Sequence, residues 1–401
     1  MNTQMTCLAA FGAVASLCFS MTTSAYAADA VKIGVLNDMS GVYADLAGPG
    51  SVEAAKMAIE DFGGKVLGQN VELVFADHQN KADIGAGIAR RWFDEGVDVA
   101  VDFSNSSVGF AVQSLAKDKN KLALITAASS DFTGKACTST SAQWVYTSRT
   151  NGYGLAQVLS GEGLDSWYLV TVDYAFGHAF ANEMRKAVEQ AGGKVLGESR
   201  YPLGTADMSS FLLNAQATNP KVVAFSAAGT DVATAVKQAK EYGIDQASTI
   251  ATPSVFLSDV HAMGLETAQG LKFIAAFYWD YDDKTREFAE RFLKRRGSMP
   301  GMTHAGVYSA VLHYLKAVEA AGSKDSEKVM AKMKELPVED MFSRNGKLRE
   351  DGQMVHDMYL VEVKKPSEST KAWDYLKVIK TVPGDEIFQS LAESACPLLK
   401  K

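Results

Sequence analysis

From Val31 onward the chain alternates short β-branched apolar runs with longer amphipathic ones, and this alternation constrains the fold more than any other feature. A period of about two residues builds strands and one of about 3.6 builds helices, so the regular succession of the two marks βαβ units in a mostly parallel sheet. Strand-like runs fall at 31–36, 71–76, 97–103 and 122–126, separated by helical stretches at 51–62, 82–94 and 108–117. A second series follows, with strands at 167–172, 195–201, 222–227, 249–252 and 271–277 and helices at 154–161, 179–191, 209–217 and 232–242. Asp231 stands where it can accept the free amides of the last of these helices, and Gly243 where a left-handed cap can end it.

After Tyr278 the pattern changes to long helices at 285–296, 302–321 and 326–336, then strands around 355–363 and 375–379. No third series begins, so this last quarter is expected to complete both halves. The fold class is α/β: two doubly wound parallel-sheet lobes joined by three crossovers near 147–152, 278–284 and 345–355, with ligand space at the carboxyl ends of the strands. The expected boundaries put 28–148 plus 282–348 in lobe 1 and 149–281 plus 349–401 in lobe 2. Whether the C-terminal tail returns to lobe 1 stays open.

The residues before the first strand carry no charge until Asp29, run apolar from Cys7 to Phe19 and end on Ala25-Tyr26-Ala27. Such a stretch is too short for a bilayer core, which takes about 20 residues, and its small-x-small ending suits a signal peptidase. Residues 1–27 therefore read as a signal peptide, although the usual basic n-region is missing, and the product reads as a soluble periplasmic protein. The net charge of -7 argues against nucleic acid or an anionic membrane as partner. Cleavage removes Cys7 and Cys18 and leaves Cys137 and Cys396, an even pair in an oxidising compartment. They are expected to form one disulfide that staples the C-terminal tail, Ala395-Cys396-Pro397, onto a loop far away in sequence, with free buried thiols as the alternative.

Catalytic patterns are absent. Gly48-Pro49-Gly50 imitates a dinucleotide loop but lies far beyond its strand, with Glu53 where a further glycine belongs. No Gly-Lys-Ser/Thr phosphate loop, Gly-x-Ser-x-Gly elbow or His-Glu-x-x-His pair occurs. His304 and His313 share a helical stretch but fall about 180° apart on it, which argues against a shared metal. Asp282-Asp283 reads as a solvated turn before a helix. The expectation is no enzyme, no cofactor and no metal.

Short hydroxyl residues instead gather at strand ends: Ser40-Gly41, Ser104-Asn105-Ser106-Ser107 and Ala127-Ala128-Ser129-Ser130. A serine beside exposed helix amides can hold a carboxylate by charge-assisted hydrogen bonds, and Ser106 or Ser107 stands just before such a helix. Plain capping explains any one serine equally well. In the second series Asp173-Tyr174-Ala175-Phe176-Gly177-His178 follows a strand in the same way and offers aromatics to cover an apolar body.

These segments, with Ala206-Asp207-Met208-Ser209-Ser210-Phe211, Ala227-Ala228-Gly229-Thr230-Asp231 and Tyr308 to Ala320-Ala321-Gly322, appear in an order and spacing that resemble the type I periplasmic solute-binding proteins of ABC importers, the branched-chain amino acid and amide class. The resemblance implies a Venus-flytrap monomer that closes on one small molecule and then docks on an inner-membrane permease. It maps carboxylate binding onto Ser106, Ser107, Ala127, Ala128 and Ser129, and an aromatic wall onto Tyr43 and Tyr174. Amino-acid binders of the class pair the ligand ammonium with an acid after the fourth strand of lobe 2, where this chain reads Thr252-Pro253-Ser254-Val255. An ammonium buried without a counter-charge costs several kcal/mol, so Ser254 disfavours an α-amino acid unless Asp173 or Asp231 substitutes. The expected ligand is a carboxylate with an apolar or aromatic body, such as a benzoate-like or phenylpropenoid acid. The alternatives are a branched-chain amino acid or amide and, from other classes, a sensory ligand-binding protein or an exported hydrolase.

Overall fold

In the computed structural model, which describes Met1 and residues 30–399, the first series forms one sheet. The expected leader and its cleavage site lie, apart from Met1, outside the described residues. In chain order the elements are β1 (Val31–Asn37), α1 (Gly48–Phe62), β2 (Lys65–Val66), β3 (Gln69–Asp77), α2 (Ala82–Asp94), β4 (Val99–Asp102), α3 (Ser106–Asp118), β5 (Leu122–Ile125) and β6 (Ser141–Gln143). The sheet order is β2-β3-β1-β4-β5-β6, parallel except for the antiparallel β2–β3 pair. β4 and β5 are buried along their whole length, as strands covered on both faces must be. Gly48-Pro49-Gly50 opens α1, and its glycine has a packing role: a Cβ at Gly50 would sit 2.4 Å from His304 Nε2, which bonds the Ala47 carbonyl.

The second series gives α4 (Gly154–Gly161), β7 (Ser166–Val172), α5 (Ala175–Gln190), β8 (Lys194–Tyr201), α6 (Ser209–Ala217), β9 (Val222–Ser226), α7 (Thr230–Glu241), α8 (Ile244–Ala247), β10 (Thr249–Ala251), α9 (Leu257–Met263), α10 (Leu265–Ala268) and β11 (Lys272–Ala275). Only four of these strands share the parallel sheet, in the order β10-β9-β7-β8. β11 leaves the series: Gly270, at φ +79°, turns the chain so that Lys272–Ala275 pairs antiparallel with a strand from the C-terminal quarter.

That quarter holds α11 (Asp283–Arg296), α12 (Met302–Ala321), α13 (Ser326–Glu335), the β12 (Lys347–Leu348) and β13 (Met354–Val355) hairpin, β14 (Met358–Val363), β15 (Leu376–Val382) and α14 (Gly384–Ile387). Asp282 is a helix cap, its carboxylate accepting from Thr285 N at 3.0 Å. α12 is buried on almost every side, and both its histidines bond carbonyls, His304 that of Ala47 and His313 that of Met333. The strand expected over 355–363 is broken at His356, whose two ring nitrogens bond the carbonyls of Val145 and Asp357 where the chain leaves the hairpin for the β11-β14-β15 sheet. Gln143 N donates to Gly352 O at 2.8 Å, so the expected boundary at 348/349 falls inside a hairpin that stays on the first sheet. The tail returns to that side too. Cys396 is bonded to Cys137 across 259 positions of sequence, and Ser394 Oγ donates to Thr133 O. Closing so long a loop restricts the unfolded chain, a stabilisation of roughly 2–5 kcal/mol.

Candidate functional site

The carboxyl ends of β1, β4 and β5 form one rim of a cleft. Asp38, directly after β1, accepts from Gly41 N (2.8 Å), Tyr43 N (2.9 Å) and the Asn80 amide, and this turn sets the position of Tyr43. Asp102, fully buried at the end of β4, accepts from Asn37 Nδ2 and Ser104 Oγ, each at 2.7 Å, and from Thr126 Oγ1. The backbone after it is strained: Asp102, Phe103 and Ser104 have φ of +89°, +75° and +33°. This kink delivers the chain to α3.

Asn105, not a serine, caps α3, its Oδ1 accepting from Ser107 N and Val108 N. Ser106 and Ser107 are therefore the first residues of the helix instead of standing before it. The Ser107 amide is used up by the cap, and no contact ties this half-buried residue to the other candidates. Ser106 is the opposite case, with a fully buried Oγ that has no hydrogen-bond partner. In the loop after β5, Gln143 Nε2 donates to the carbonyls of Ala127 (2.8 Å) and Ser129 (3.0 Å). The amides of Ala127, Ala128 and Ser129 make no hydrogen bond among the described residues. Ser129 Oγ accepts only a long 3.4 Å bond from Asp131 N.

The facing rim comes from the ends of β7, β8, β9 and β10. The Tyr174 hydroxyl lies 2.5 Å from that of Tyr43, and its ring stacks on Phe176. Asp173 points away, exposed and bonded to His178 at 2.8 Å, so it does not reach the cleft. Tyr201 closes β8 with a buried, unpartnered hydroxyl. Tyr146, on the first crossover, packs edge-on against Phe256 and stands beside Ser254. Ser254 Oγ is near enough to favour ionisation of that phenol but makes no hydrogen bond of ordinary geometry. Thr252 Oγ1 and Ser226 Oγ, at the ends of β10 and β9, are likewise buried without partners.

Burial, before any other cause, raises the pKa of Tyr43, Tyr146, Tyr174 and Tyr201, so all four stay protonated donors. The side chains that act on them are phenols, one serine and the carboxylates of Asp38, Asp102, Asp231 and Asp259. No lysine, arginine or histidine is among them. Asp231 does not cap α7 as expected; the cap position is Gly229, and the Asp231 carboxylate accepts from Gly204 N at 3.1 Å. Burial pushes Asp231 up to about 6 against that one bond, and pushes Asp259 up to about 7 against the amides of Phe256 and Gly229.

The rims touch. Thr230 N donates to Val42 O at 3.3 Å, and a Cβ on Gly229, held at φ +63°, would lie 2.2 Å from the same carbonyl. Tyr43 and Tyr174 are thus brought together directly, Ser106 and the 127–129 amides share the first rim, and Ser254 faces it through Tyr146. Sequence reasoning missed Asn105, Asp102, Tyr146 and Tyr201. An asparagine right after a strand and ahead of a helix is a cap as good as serine, so Asn105 was within reach.

A family model described as periplasmic binding protein matches residues 30–370. A Leu/Ile/Val-binding protein homolog 6 from Brucella melitensis biotype 1 is 27% identical over 380 residues, 90% of this chain and 94% of that protein. Among solved structures, a periplasmic binding protein from Burkholderia mallei is 45% identical with a TM-score of 0.91, covering 93% of this chain and all 100% of that one. A branched chain amino acid ABC transporter periplasmic ligand-binding protein from Burkholderia xenovorans LB400 is 42% identical with a TM-score of 0.82, covering 92% of this chain and 99% of that one.

Proposed function

The chain belongs to the periplasmic binding protein family, as a solute-binding component of an ABC transporter, and on that premise we propose that it captures a small carboxylate with an apolar or aromatic body between its lobes. The observation that carries this reading is that the fully buried Ser106 Oγ and the amides of Ala127, Ala128 and Ser129, which follow the adjacent strands β4 and β5, have no hydrogen-bond partner among the described residues. Neutral donors that no protein group uses suit one carboxylate, and burying them unpaired costs about 1–3 kcal/mol each. The tyrosine faces then cover the body of the ligand.

Residues 28–148 with 282 to the β12–β13 hairpin and the tail around Cys396, and 149–281 with β14 and β15, are the lobes that close on it. The mature protein works as a periplasmic monomer after cleavage behind Ala27, and hands its ligand to an inner-membrane permease. A second reading, a branched-chain amino acid, is supported by one observation: Asp231 is buried beside the tyrosines with no cation against it, and an ammonium would suit it. It agrees with the names of the relatives above.

The test is a calorimetric and thermal-shift panel of aromatic acids, branched-chain amino acids and amides on refolded, ligand-stripped protein, with Ser106→Ala beside the wild type. Losing a hydrogen bond to a charged group should weaken the best carboxylate about tenfold or more. Binding of amides alone, or an unchanged affinity in Ser106→Ala, would remove the carboxylate reading.

A further inference from the structure

Asp231 has no structural role that explains its burial. It is 3% exposed, sits in the first turn of α7, and leaves the cap position to Gly229. Among the described residues its carboxylate accepts one hydrogen bond, from Gly204 N to Oδ2, and no basic side chain acts on it. The groups around it are phenols: Tyr43 from the loop after β1, Tyr174 from the loop after β7 and Tyr201 at the end of β8 all feel its charge. On its own helix Lys237 is spent on the Ala262 carbonyl, and on neighbouring α9 the buried charge is another carboxylate, Asp259. His178 of α5 is held by Asp173. A carboxylate placed this way is neither neutralised nor exposed.

We propose that Asp231 is a specificity-determining residue that keeps the second-lobe end of the cleft closed to a second carboxylate and open to a hydrogen-bond donor, neutral or cationic. The inference rests on the carboxylate reading above: if the ligand carboxylate docks on Ser106 and the 127–129 amides, the rest of the ligand extends toward Asp231. A second negative charge would there meet a buried one in a cleft with low dielectric, where like charges repel far more than in water. A hydroxyl or an ammonium would instead form a charge-assisted hydrogen bond with the carboxylate. Rejection by a repulsive group is the cheaper way to discriminate, because it needs no added contact to the preferred ligand. The class admitted is therefore monocarboxylates, including zwitterions, and the class refused is dicarboxylates of the same size.

The experiment compares matched probes, benzoate with terephthalate and glutamine with glutamate, on the full-length exported protein and on Asp231→Asn, by titration at pH 7.5. The expected result is that the dianionic or extra-acidic member of whichever pair binds is at least tenfold weaker on the wild type, and that Asp231→Asn shrinks this ratio at least tenfold. A ratio unchanged in Asp231→Asn, while benzoate or glutamine still binds, overturns the inference and leaves the carboxylate reading standing. Failure of every monocarboxylate in the panel to bind overturns both. Should Asp231→Asn not fold, the wild type alone decides. Lowering the pH through about 6 protonates Asp231. Terephthalate keeps both charges there, so its affinity should rise relative to benzoate, and a pH-independent ratio between 7.5 and 5.5 refutes the filter.

Discussion

On the first rim of the cleft Asp38 and Asp102 are each wrapped by several donors, from Gly41, Tyr43 and Asn80 in one case and Asn37, Ser104 and Thr126 in the other. On the second rim Asp231 has one bond, and the hydroxyls of Tyr201, Ser226, Thr252 and Ser254 have none. Both rims are buried, so the difference is not one of solvent. Acids on the first rim act as struts that hold a kinked backbone, and among the described residues Ser106 Oγ, Asn37 Oδ1 and the amides of Ala127, Ala128 and Ser129 are left without partners there. Polar groups on the second rim have spare capacity that only something entering the cleft can use. Under the proposed function, the contrast is between residues that build the site and residues that would read the ligand.

The strongest way to break it is to keep the rims apart. Gly229→Val puts a side chain where a Cβ already falls 2.2 Å from Val42 O, so the second rim should no longer seat on the first. Affinity should drop at least about 100-fold, roughly 2.7 kcal/mol, and small-angle scattering should show no compaction on adding ligand. The left-handed backbone adds a local cost of about 1–3 kcal/mol to folding, which a melt of the ligand-free protein measures separately. Wild-type affinity in this variant would mean that the Val42–Thr230 contact plays no part in the bound state.

A smaller effect comes from pH, where buried groups of the two lobes pull in opposite directions. Burial lowers His304 and His313 on α12 to about 4, so the folded state binds fewer protons than the unfolded one between about 4 and 6.5. Their contribution to stability is present above that window and is lost as pH falls through it. Asp259, raised to about 7, does the reverse: the folded state holds the extra proton from about 4 to 7, so stability falls as pH rises through that range. The two slopes oppose each other in the wild type. Asp259→Asn, which keeps an acceptor for Phe256 N, should therefore steepen the loss of stability on acidification by about 1–2 kcal/mol between pH 6.5 and 4.5 in urea melts. Parallel pH profiles for variant and wild type would count against a buried ionisable Asp259.

The smallest effect sharpens the comparison. In the Tyr43–Tyr174 hydroxyl pair a first-rim group and a second-rim group hydrogen-bond side chain to side chain. Tyr43→Phe and Tyr174→Phe should each weaken binding by about 1 kcal/mol or less, and the double variant by no more than either one. Additive losses in calorimetry would show that each hydroxyl serves the ligand and not the other.

Much of the fold was legible because it follows from local pattern. The helices at 82–94, 154–161, 209–217 and 302–321 have the bounds expected from the sequence; 82–94 shows an apolar stripe and 302–321 an almost unbroken apolar surface between turn residues. β11 was misjudged because its composition matches a parallel core strand, while its partner, β14, lies far away in sequence and runs the other way. Ser106 was expected just before the helix, whereas Asn105 does the capping and the serine is its first residue, with a hydroxyl that has no partner among the described residues. Tyr146 and Tyr201 look like ordinary core aromatics in the sequence, and only their strand-end placement distinguishes them.

The sequence by itself determined the α/β alternation, the hydroxyl-rich strand ends and the pair of cysteines at 137 and 396, because each is a property of neighbouring residues or of composition, whereas Ser254 lacks an acid only as measured against the resemblance to amino-acid binders. The structure bears out the expected Cys137–Cys396 bond, but tertiary structure alone decided that Tyr43 meets Tyr174, that Asp173 turns outward and that Asp231 is buried without a cation. The tyrosines are 131 positions apart and Asp231 takes its bond from Gly204, 27 positions away, while Asp173 finds His178 only five residues on. What each carboxylate meets when water is removed depends on how the segments pack, which spacing alone does not encode.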